Sequence, residues 1–202
     1  MERYNLAILT KKIYDSGFFF FNLKTLEDIL DVKNKVTLFS IIKKLLKADI
    51  LAKIERGKYT LKDAKTNSFA LANFSYQSSY ISFESALNFY GILSQFPYEI
   101  SNATTKKTCQ KEFEGKVFTY TKIKNDLFWG YEKKENFLIA LPEKALLDQL
   151  YLAAKGQKRI NIDELDLEKI SESRFKKFLA KYPKTRQFKK IIEKFYDYKR
   201  AN

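Results

Sequence analysis

The pattern that decides the fold lies in residues 24–61, KTLEDILDVKNKVTLFSIIKKLLKADILAKIERGKYTL. In its first part, Leu26, Ile29 and Leu30 recur at the three-to-four-residue spacing of a short amphipathic helix. The polar stretch DVKNK, residues 31–35, follows and contains residues that favour turns. We therefore expect a short helix that ends in a tight turn.

A second, longer helix is predicted from Val36 to Asp49. Its apolar face is formed by Leu38, Ile41, Ile42, Leu45 and Leu46. A polar and cationic stripe lies opposite, with the spacing i, i+3, i+7 and i+10, and comprises Thr37, Ser40, Lys44 and Lys47. This pattern is typical of a helix that packs on a core along one face and meets solvent or a partner along the other.

A β-hairpin is predicted next, from Leu51 to Leu61, because apolar and polar residues alternate on both sides of a turn at Arg56 and Gly57. Helix, turn, helix and basic hairpin follow one another in the order of a winged helix-turn-helix domain. A helical pattern over residues 3–15 and a short strand at the Phe18–Phe21 run precede them.

Such a domain binds DNA by placing its second helix in the major groove, which has the width of an α-helix. The candidate DNA-contacting residues are Lys33, Lys35, Thr37, Ser40, Lys43, Lys44, Lys47, Arg56 and Lys58. The lysines at the helix start are expected to meet phosphate beside free backbone N–H groups, and the hairpin residues to reach the backbone or the minor groove. Two alternatives stay open: the lysines are simply solvated, or the winged helix binds only protein.

The charge distribution favours an anionic partner. The chain carries 38 Lys and Arg against 24 Asp and Glu, a net charge of +14. Residues 1–66 have a net charge of +6, residues 67–170 are neutral, and residues 171–202 have a net charge of +8. The 202 residues suffice for two domains. With the polar stretch Lys62–Ser68 as their boundary, we expect a winged helix-turn-helix domain over residues 1–66 and a second domain over residues 67–202.

The second domain is predicted to be a mixed α/β domain with an antiparallel sheet and basic C-terminal helices, which makes the whole chain α+β. Four segments rich in β-branched and aromatic residues predict the sheet: YEISNATT, KVFTYTKI, LFWGY and NFLIA. Pro142 suits the first turn of a helix with the sequence PEKALLDQLYLAAK, which Gly156 ends. Ser82 is expected to cap a shorter helix before Gly91.

The residues needed for several kinds of chemistry are missing. The chain has no His, its single Cys cannot build a zinc site, and its six glycines are too far apart for a Walker or dinucleotide loop. Glu143 and Asp148 lie in a lysine-flanked helix, where surface ion pairs explain them better than an acidic catalytic pair. We therefore expect no enzymatic activity, no cofactor and no metal.

Two features of the sequence indicate the compartment of the protein and whether it contacts a membrane. Cys109 is the single Cys, which excludes an internal disulfide and fits a reducing cytoplasm. Near the start of the chain, the purely apolar run from Phe18 to Phe21 is far below the roughly 18 residues of a membrane span. We expect a cytoplasmic protein without membrane contact.

Three segments of the second domain, YISFESAL, NATTKK and PEKALLD, resemble the C-terminal domain of AbiEi-type antitoxins of type IV toxin–antitoxin and abortive-infection systems. The winged N-terminal half looks like the domain that those proteins place in front. The resemblance implies a DNA-binding repressor of its own operon that contacts inverted repeats in its promoter. It also implies that the protein counteracts a co-encoded, nucleotidyltransferase-like toxin. Where many relatives have Gly after the recognition helix, this chain has Asp49.

Within this resemblance, Thr104, Thr105, Lys106 and Lys107 belong to the antitoxin half. The basic tail adds Lys184, Arg186, Lys189 and Lys190. The tail residues are expected either to contact phosphate or to compete for an anionic substrate of the toxin, unless they are merely solvated. The motif residues are expected to specify the fold more than to contact a partner.

A different class of function stays open beside the antitoxin: a basic module without sequence-specific DNA binding that engages an acidic protein or RNA. In that alternative the aromatic residues of the C-terminal helices would take part in binding, namely Phe175, Phe178, Phe188, Phe195 and Tyr196.

Overall fold

The structure is a computed structural model that describes residues 5–62 and 67–201. The chain divides into two compact units, residues 1–67 and residues 68–202. The sequence predicts a boundary after Thr66, within the polar stretch Lys62–Ser68, and residues 63–66 of that stretch lie outside the described residues.

The first unit contains three helices and three strands among its described residues: α1 (Leu6–Asp15), β1 (Phe20–Asn22), α2 (Leu23–Leu30), α3 (Lys35–Lys47), β2 (Leu51–Glu55) and β3 (Lys58–Leu61). The strands form an antiparallel sheet in the order β1-β3-β2, in which Phe21 pairs with Tyr59 and Leu51 with Leu61. This succession of helices and hairpin is that of a winged helix-turn-helix, as the sequence predicts.

One hydrophobic core holds this unit together. It is built from α1, β1, α2, α3 and the hairpin, and its largest contributors are Leu9, Ile13, Phe21, Leu26, Leu30, Leu38, Ile41 and Leu45. Of the four consecutive phenylalanines, Phe21 is fully buried, whereas Phe18 and Phe19 are exposed. Phe18 and Phe19 precede β1, whereas Phe21 lies within this strand and pairs with Tyr59 of β3.

Polar side chains define the helix ends of this unit. Asn22 caps α2 by accepting a hydrogen bond from the Thr25 N–H at 2.8 Å, and Asn34 caps α3 in the same way. Asp31 after α2 and Asp49 after α3 both have a φ of 54°. Asp is among the few residues other than Gly that adopt this left-handed conformation readily, so Asp49 can follow the end of α3 at a position where Gly is usual.

The second unit has five helices and six strands among its described residues: α4 (Ser68–Ser75), β4 (Ser79–Ile81), α5 (Phe83–Phe89), β5 (Ile100–Thr104), β6 (Cys109–Phe113), β7 (Lys116–Lys122), β8 (Tyr131–Lys134), β9 (Phe137–Ala140), α6 (Pro142–Ala154), α7 (Glu172–Leu179) and α8 (Arg186–Ala201). Its strands form one sheet in the order β6-β7-β5-β4-β9-β8. The predicted α+β class and the basic C-terminal helices are confirmed.

The sheet of the second unit is mixed, with parallel as well as antiparallel strand pairs. β4 runs parallel to β9, and β5 runs parallel to β7, while the other neighbours are antiparallel. The predicted strand LFWGY contributes only Tyr131 to β8, and two further strands escape the sequence pattern. β4 has only three residues and is buried throughout, whereas β6 is an edge strand with the polar sequence CQKEF. Neither shows the alternation over a longer segment that marks a strand.

Helix α6 is the central helix of the second unit. The predicted start at Pro142 is correct, and the helix ends two residues before Gly156. Every residue from Glu143 to Leu152 is buried, not only the predicted apolar face. The expectation that Glu143 and Asp148 form surface ion pairs is therefore wrong: they are 1% and 0% exposed. Packing on all sides of the helix, which the local pattern does not record, causes their burial.

Candidate nucleic-acid interface

The outward face of α3 is the first candidate surface. Leu38, Ile41, Ile42 and Leu45 are buried in the core. On the other side, Lys43, Lys44 and Lys47 are exposed. None of these three lysines forms a salt bridge with a residue in the described part of the chain. A row of uncompensated ammonium groups along one helix face is the arrangement that attracts phosphate.

The centre of this face is not where the sequence places it. At about 100° per residue, Val36, Lys43 and Lys47 project within about 40° of one another. Ser40 is exposed beside them, whereas Thr37 is half-buried at the flank. The polar stripe expected along Thr37, Ser40, Lys44 and Lys47 is thus one edge of the exposed surface.

Two exposed apolar residues of α3 are absent from the DNA-contacting residues predicted from the sequence. Val36 is 80% exposed and Phe39 is 50% exposed, and both lie on the outward face of α3. The core of this helix is already complete without them. Val36 lies near the centre of the exposed face and Phe39 at the flank opposite Thr37, so both add apolar surface beside the exposed lysines.

The start of α3 carries Lys33 and Lys35, both exposed. The N–H of Thr37 donates to the Asn34 side chain at 3.1 Å, and the Thr37 hydroxyl lies 3.4 Å from the same oxygen. This backbone N–H is therefore occupied by the cap rather than free for phosphate. Thr37 serves the helix end, and the two lysines supply the cationic groups beside it.

The hairpin, or wing, turns at Arg56 and Gly57, where Gly57 has a φ of 76°. Arg56 is exposed at the tip. Lys58 is different, because its ammonium lies 2.7 Å from the Glu55 carboxylate and only 23% of its side chain is exposed. The wing therefore presents Arg56 to a partner, while Lys58 is engaged across the turn.

The fold has a solved counterpart. The chain is similar to the crystal structure of the RV2827C protein from Mycobacterium tuberculosis, with a TM-score of 0.58 and 15% sequence identity. The likeness covers 86% of this chain and 70% of the other. At this identity it concerns the fold alone. No family model matches the chain, and no curated protein does.

In the second unit, the predicted TTKK segment divides into a structural and an exposed part. Thr104 ends β5 and is buried; its hydroxyl donates to the Ser78 carbonyl at 2.9 Å and accepts from the Lys106 N–H. Thr105 is half-buried, and Lys106 and Lys107 are exposed in the loop before β6. Only the two lysines of this segment present charge to solvent.

The basic tail lies at the start of α8. Its four predicted residues are exposed, and none forms a salt bridge with a described residue: Lys184, Arg186, Lys189 and Lys190. The aromatic residues around them are mostly internal. The rings of Phe175 and Phe195 stack at 4.9 Å, and those of Tyr182 and Phe188 at 5.6 Å. The tail therefore offers cations rather than aromatic rings.

The motifs that carry the family resemblance meet in the core of the second unit. Lys144 on α6 forms an ion pair with Asp148 and donates to the Tyr80 hydroxyl at 3.0 Å. Ser82, predicted as a helix cap, instead donates to Asp148 at 3.0 Å, and Tyr182 donates to it at 2.7 Å. Residues from separate parts of the sequence thus form one buried polar network.

Burial controls the ionisation of this network. Burial lowers the pKa of the Lys144 ammonium, whereas the negative charge of the Asp148 carboxylate acts in the opposite direction and raises it. Burial raises the pKa of Tyr80 and that of Tyr182 well above the usual range, and the negative charge of Asp148 adds to both shifts. Lys144 and Asp148 have no exposed surface, so the network stabilises the core and offers no atom to a solvent-borne substrate.

Across residues 5–62 and 67–201, no helix is both long and apolar enough to cross a membrane.

Proposed function

We propose that the protein is a DNA-binding antitoxin that represses its own operon and counteracts a co-encoded, nucleotidyltransferase-like toxin. The observation that carries the DNA-binding part is the outward face of α3, where Lys43, Lys44 and Lys47 are exposed beside exposed Val36 and Phe39. This face belongs to the second helix of a helix-turn-helix, the element that enters the major groove in such domains.

Affinity in this proposal comes from phosphate. Lys33, Lys35 and Arg56 lie at the two ends of the recognition surface, at the helix start and at the wing tip. Arg and Lys at such positions neutralise backbone charge and fix the register of the helix in the groove, without reading sequence. The uncompensated lysines of α3 add to this attraction.

Specificity comes from the middle of the face. The Ser40 hydroxyl can donate to or accept from a base edge, and Lys43 can donate to guanine. Phe39 and Val36 suit the methyl group of thymine, which is the one apolar feature of the major groove. Half of the Phe39 side chain is exposed in the free protein, so apolar contact with a methyl group would remove it from water.

The antitoxin part rests on the resemblance of YISFESAL, NATTKK and PEKALLD to AbiEi-type antitoxins and on the exposed cations of the second unit. Lys106 and Lys107 in the β5–β6 loop and the residues at the start of α8 are free to engage an anionic partner. A repressor of its own operon acts in the cytoplasm, beside the chromosome. The proposal assigns no catalytic role; the network of Tyr80, Lys144, Asp148 and Tyr182 is closed to solvent.

The test of the repressor is a mobility-shift assay of the full chain with a duplex from its own promoter and with a scrambled duplex at the same salt concentration. We expect inverted repeats in the promoter to be bound more tightly than the scrambled duplex by about a thousandfold or more. A matched variant, with Lys43, Lys44 and Lys47 changed to Gln, should lose affinity for both. Equal binding of the promoter and the scrambled duplex would refute the proposal.

The second candidate is a basic module that binds protein or RNA without reading DNA sequence. It is favoured by the groove between α7 and α8, where Lys184 and Lys189 flank the apolar Leu179 and Ile192. Stacking on Phe175, Phe188 or Phe195 is not available to it, because these rings are buried. A nucleotidyltransferase-like gene beside this one supports the antitoxin, and its absence supports the second candidate.

A further inference from the structure

A cleft in the second unit is lined by groups that attract anions. It has a volume of about 640 Å³ and lies where the end of β7 meets the loop before β6 and the end of α6. Its polar lining consists of Lys122, Lys124, Lys155, Thr108, Thr121 and Gln157. Among the described residues, no Asp or Glu lines it. The sequence analysis did not single out these residues.

The positive charge of the cleft is not compensated. Elsewhere in the second unit, lysines are often paired: Lys158 lies 2.8 Å from Glu84, and Lys176 lies 2.6 Å from Glu172. Lys122, Lys124 and Lys155 are all exposed and form no salt bridge with a residue that the structure describes. Three ammonium groups around one concave surface create an electrostatic potential that favours a multiply charged anion.

The backbone under these side chains is held in place. The Lys122 N–H donates to the Thr108 hydroxyl oxygen at 3.0 Å, and the N–H of buried Ile123 donates to the Thr104 carbonyl at 2.8 Å. These bonds connect β7 to the end of β5 and to the β5–β6 loop. The wall of the cleft is therefore built before any ligand arrives, which lowers the entropy cost of binding.

The opposite wall is fixed by the end of α6. The N–H of Gln157 donates to the Leu152 carbonyl at 3.0 Å, in a turn that passes through Gly156. The Leu152 carbonyl, near the end of the helix, therefore already accepts a hydrogen bond within the chain. The Lys155 ammonium lies 4.3 Å from the centre of the Tyr151 ring, which orients its side chain.

We propose that this cleft binds consecutive phosphate groups, either of a nucleotide or of a nucleic-acid strand. Lysine ammonium groups and threonine hydroxyls donate to phosphate oxygens, and Gln157 adds an amide donor. No aromatic side chain lines the cleft among the described residues, so it has no platform on which a base would stack. Recognition is therefore of the phosphates and independent of base identity. The site is separate from the α3 face and does not depend on operator binding.

The test measures binding of inorganic tripolyphosphate to the full chain by calorimetry, with ATP and a short oligouridylate RNA as further probes. In the test variant, Lys122, Lys124 and Lys155 are changed to Gln. In the control variant, three exposed lysines of the same unit that lie outside the cleft, Lys133, Lys177 and Lys194, are changed to Gln. Both variants lose the same charge. Operator binding of all three proteins is measured in parallel.

We expect the test variant to lose about tenfold or more in affinity for tripolyphosphate, and the control variant to lose much less. An affinity for ATP equal to that for tripolyphosphate would show that the base is not recognised. Displacement of bound tripolyphosphate by the RNA would identify a nucleic-acid strand as the source of the phosphates. Equal affinity of the test and control variants, or no tripolyphosphate binding by the wild-type chain, overturns the proposal. Unchanged operator binding in the test variant separates such a failure from failure of the repressor function.

Discussion

Lys144 and Asp148 lie one helical turn apart on α6, and their ion pair has no exposed surface on either side chain. A pair closed off from water in this way depends on its surroundings, because both charges have lost their hydration. Tyr80, Ser82 and Tyr182 supply the hydrogen bonds that replace water. The three residues come from β4, its end and the segment after α7, so the pair connects distant parts of the second unit.

Removing one member of the pair should destabilise the protein strongly. We expect Lys144→Met to lower the free energy of unfolding by about 3–5 kcal/mol, because Asp148 is left charged and buried without its partner. Urea denaturation measures this. The control is Lys24→Met, which breaks the exposed pair with Asp28 on α2 and should change the free energy of unfolding far less, because water already solvates both charges.

A double variant separates the pair from the rest of the network. Lys144→Met combined with Asp148→Leu removes both charges, and we expect part of the loss to be recovered. Recovery should be incomplete, since Ser82 and Tyr182 lose their acceptor. A Lys144→Met protein as stable as Lys24→Met would contradict our account of the buried pair.

Stability should fall in alkaline solution. The folded-state pKa of Tyr182 is raised by burial and by Asp148, whereas the unfolded chain has a tyrosine pKa of about 10. The Tyr182 hydroxyl therefore holds its proton more tightly in the folded state than in the unfolded chain. Its contribution to the free energy of unfolding is complete below pH 10 and is lost as the pH rises above 10. For Tyr182, each pH unit above 10 should lower the free energy of unfolding by up to about 1.4 kcal/mol.

The variant Tyr182→Phe isolates this contribution. Urea denaturation of both proteins between pH 8 and pH 11 should show a shallower alkaline decline for the variant, although it is less stable at neutral pH. Parallel curves for the two proteins above pH 10 would show that the ionisation of Tyr182 is not linked to folding.

Phe39 should contribute to thymine recognition. Replacing thymine by uracil in a bound duplex removes one methyl group per base. We expect the wild-type protein to lose about fourfold in affinity for each contacted methyl, from about 0.8 kcal/mol per buried apolar carbon. Phe39→Ala should show a smaller difference in affinity between the two duplexes, because only the Val36 contact remains. Phe96→Ala, which alters a residue that is 90% exposed in the second unit, should keep the wild-type preference. Loss of the preference in both variants would contradict a role specific to Phe39.

The two basic residues of the wing should behave differently. Arg56→Ala should weaken binding to every duplex while changing the free energy of unfolding by less than about 0.5 kcal/mol, because the side chain is exposed at a turn. Lys58→Ala also breaks the ion pair with Glu55, so it should cost up to about 1 kcal/mol of stability. Thermal melts and salt titrations of DNA binding measure both effects. A large stability loss in Arg56→Ala would mean that the tip is packed.

Operator binding and rescue from the toxin should be separable in the full chain. Changing Lys43, Lys44 and Lys47 to Gln should abolish repression and leave rescue of cells that co-express the toxin. Changing Lys184, Arg186, Lys189 and Lys190 to Gln should impair rescue and leave specific operator binding, because these exposed cations lie in the second unit. Unimpaired rescue by the second variant would show that the tail lysines are simply solvated.

The sequence by itself determined the winged helix-turn-helix. Short helices with regular apolar spacing, Asn34 before α3 and Gly57 in the hairpin are local signals, since helix caps and turns are decided by residues within a few positions of one another. The same holds for the start of α6 at Pro142 and for the cationic surface of α3. None of these features needs distant contacts to be recognised.

Only the tertiary structure decided which side of a local pattern faces a partner and which distant residues meet. Phe39 is as apolar as the core residues of α3, but the core of the first unit packs without it, and half of its surface stays exposed. Lys144 looks like a surface lysine, but packing around α6 buries it beside Asp148. Lys122 and Lys155 belong to a strand and to a helix end that the sheet order brings to one cleft. Burial and proximity arise from long-range packing, which residue type and spacing do not encode.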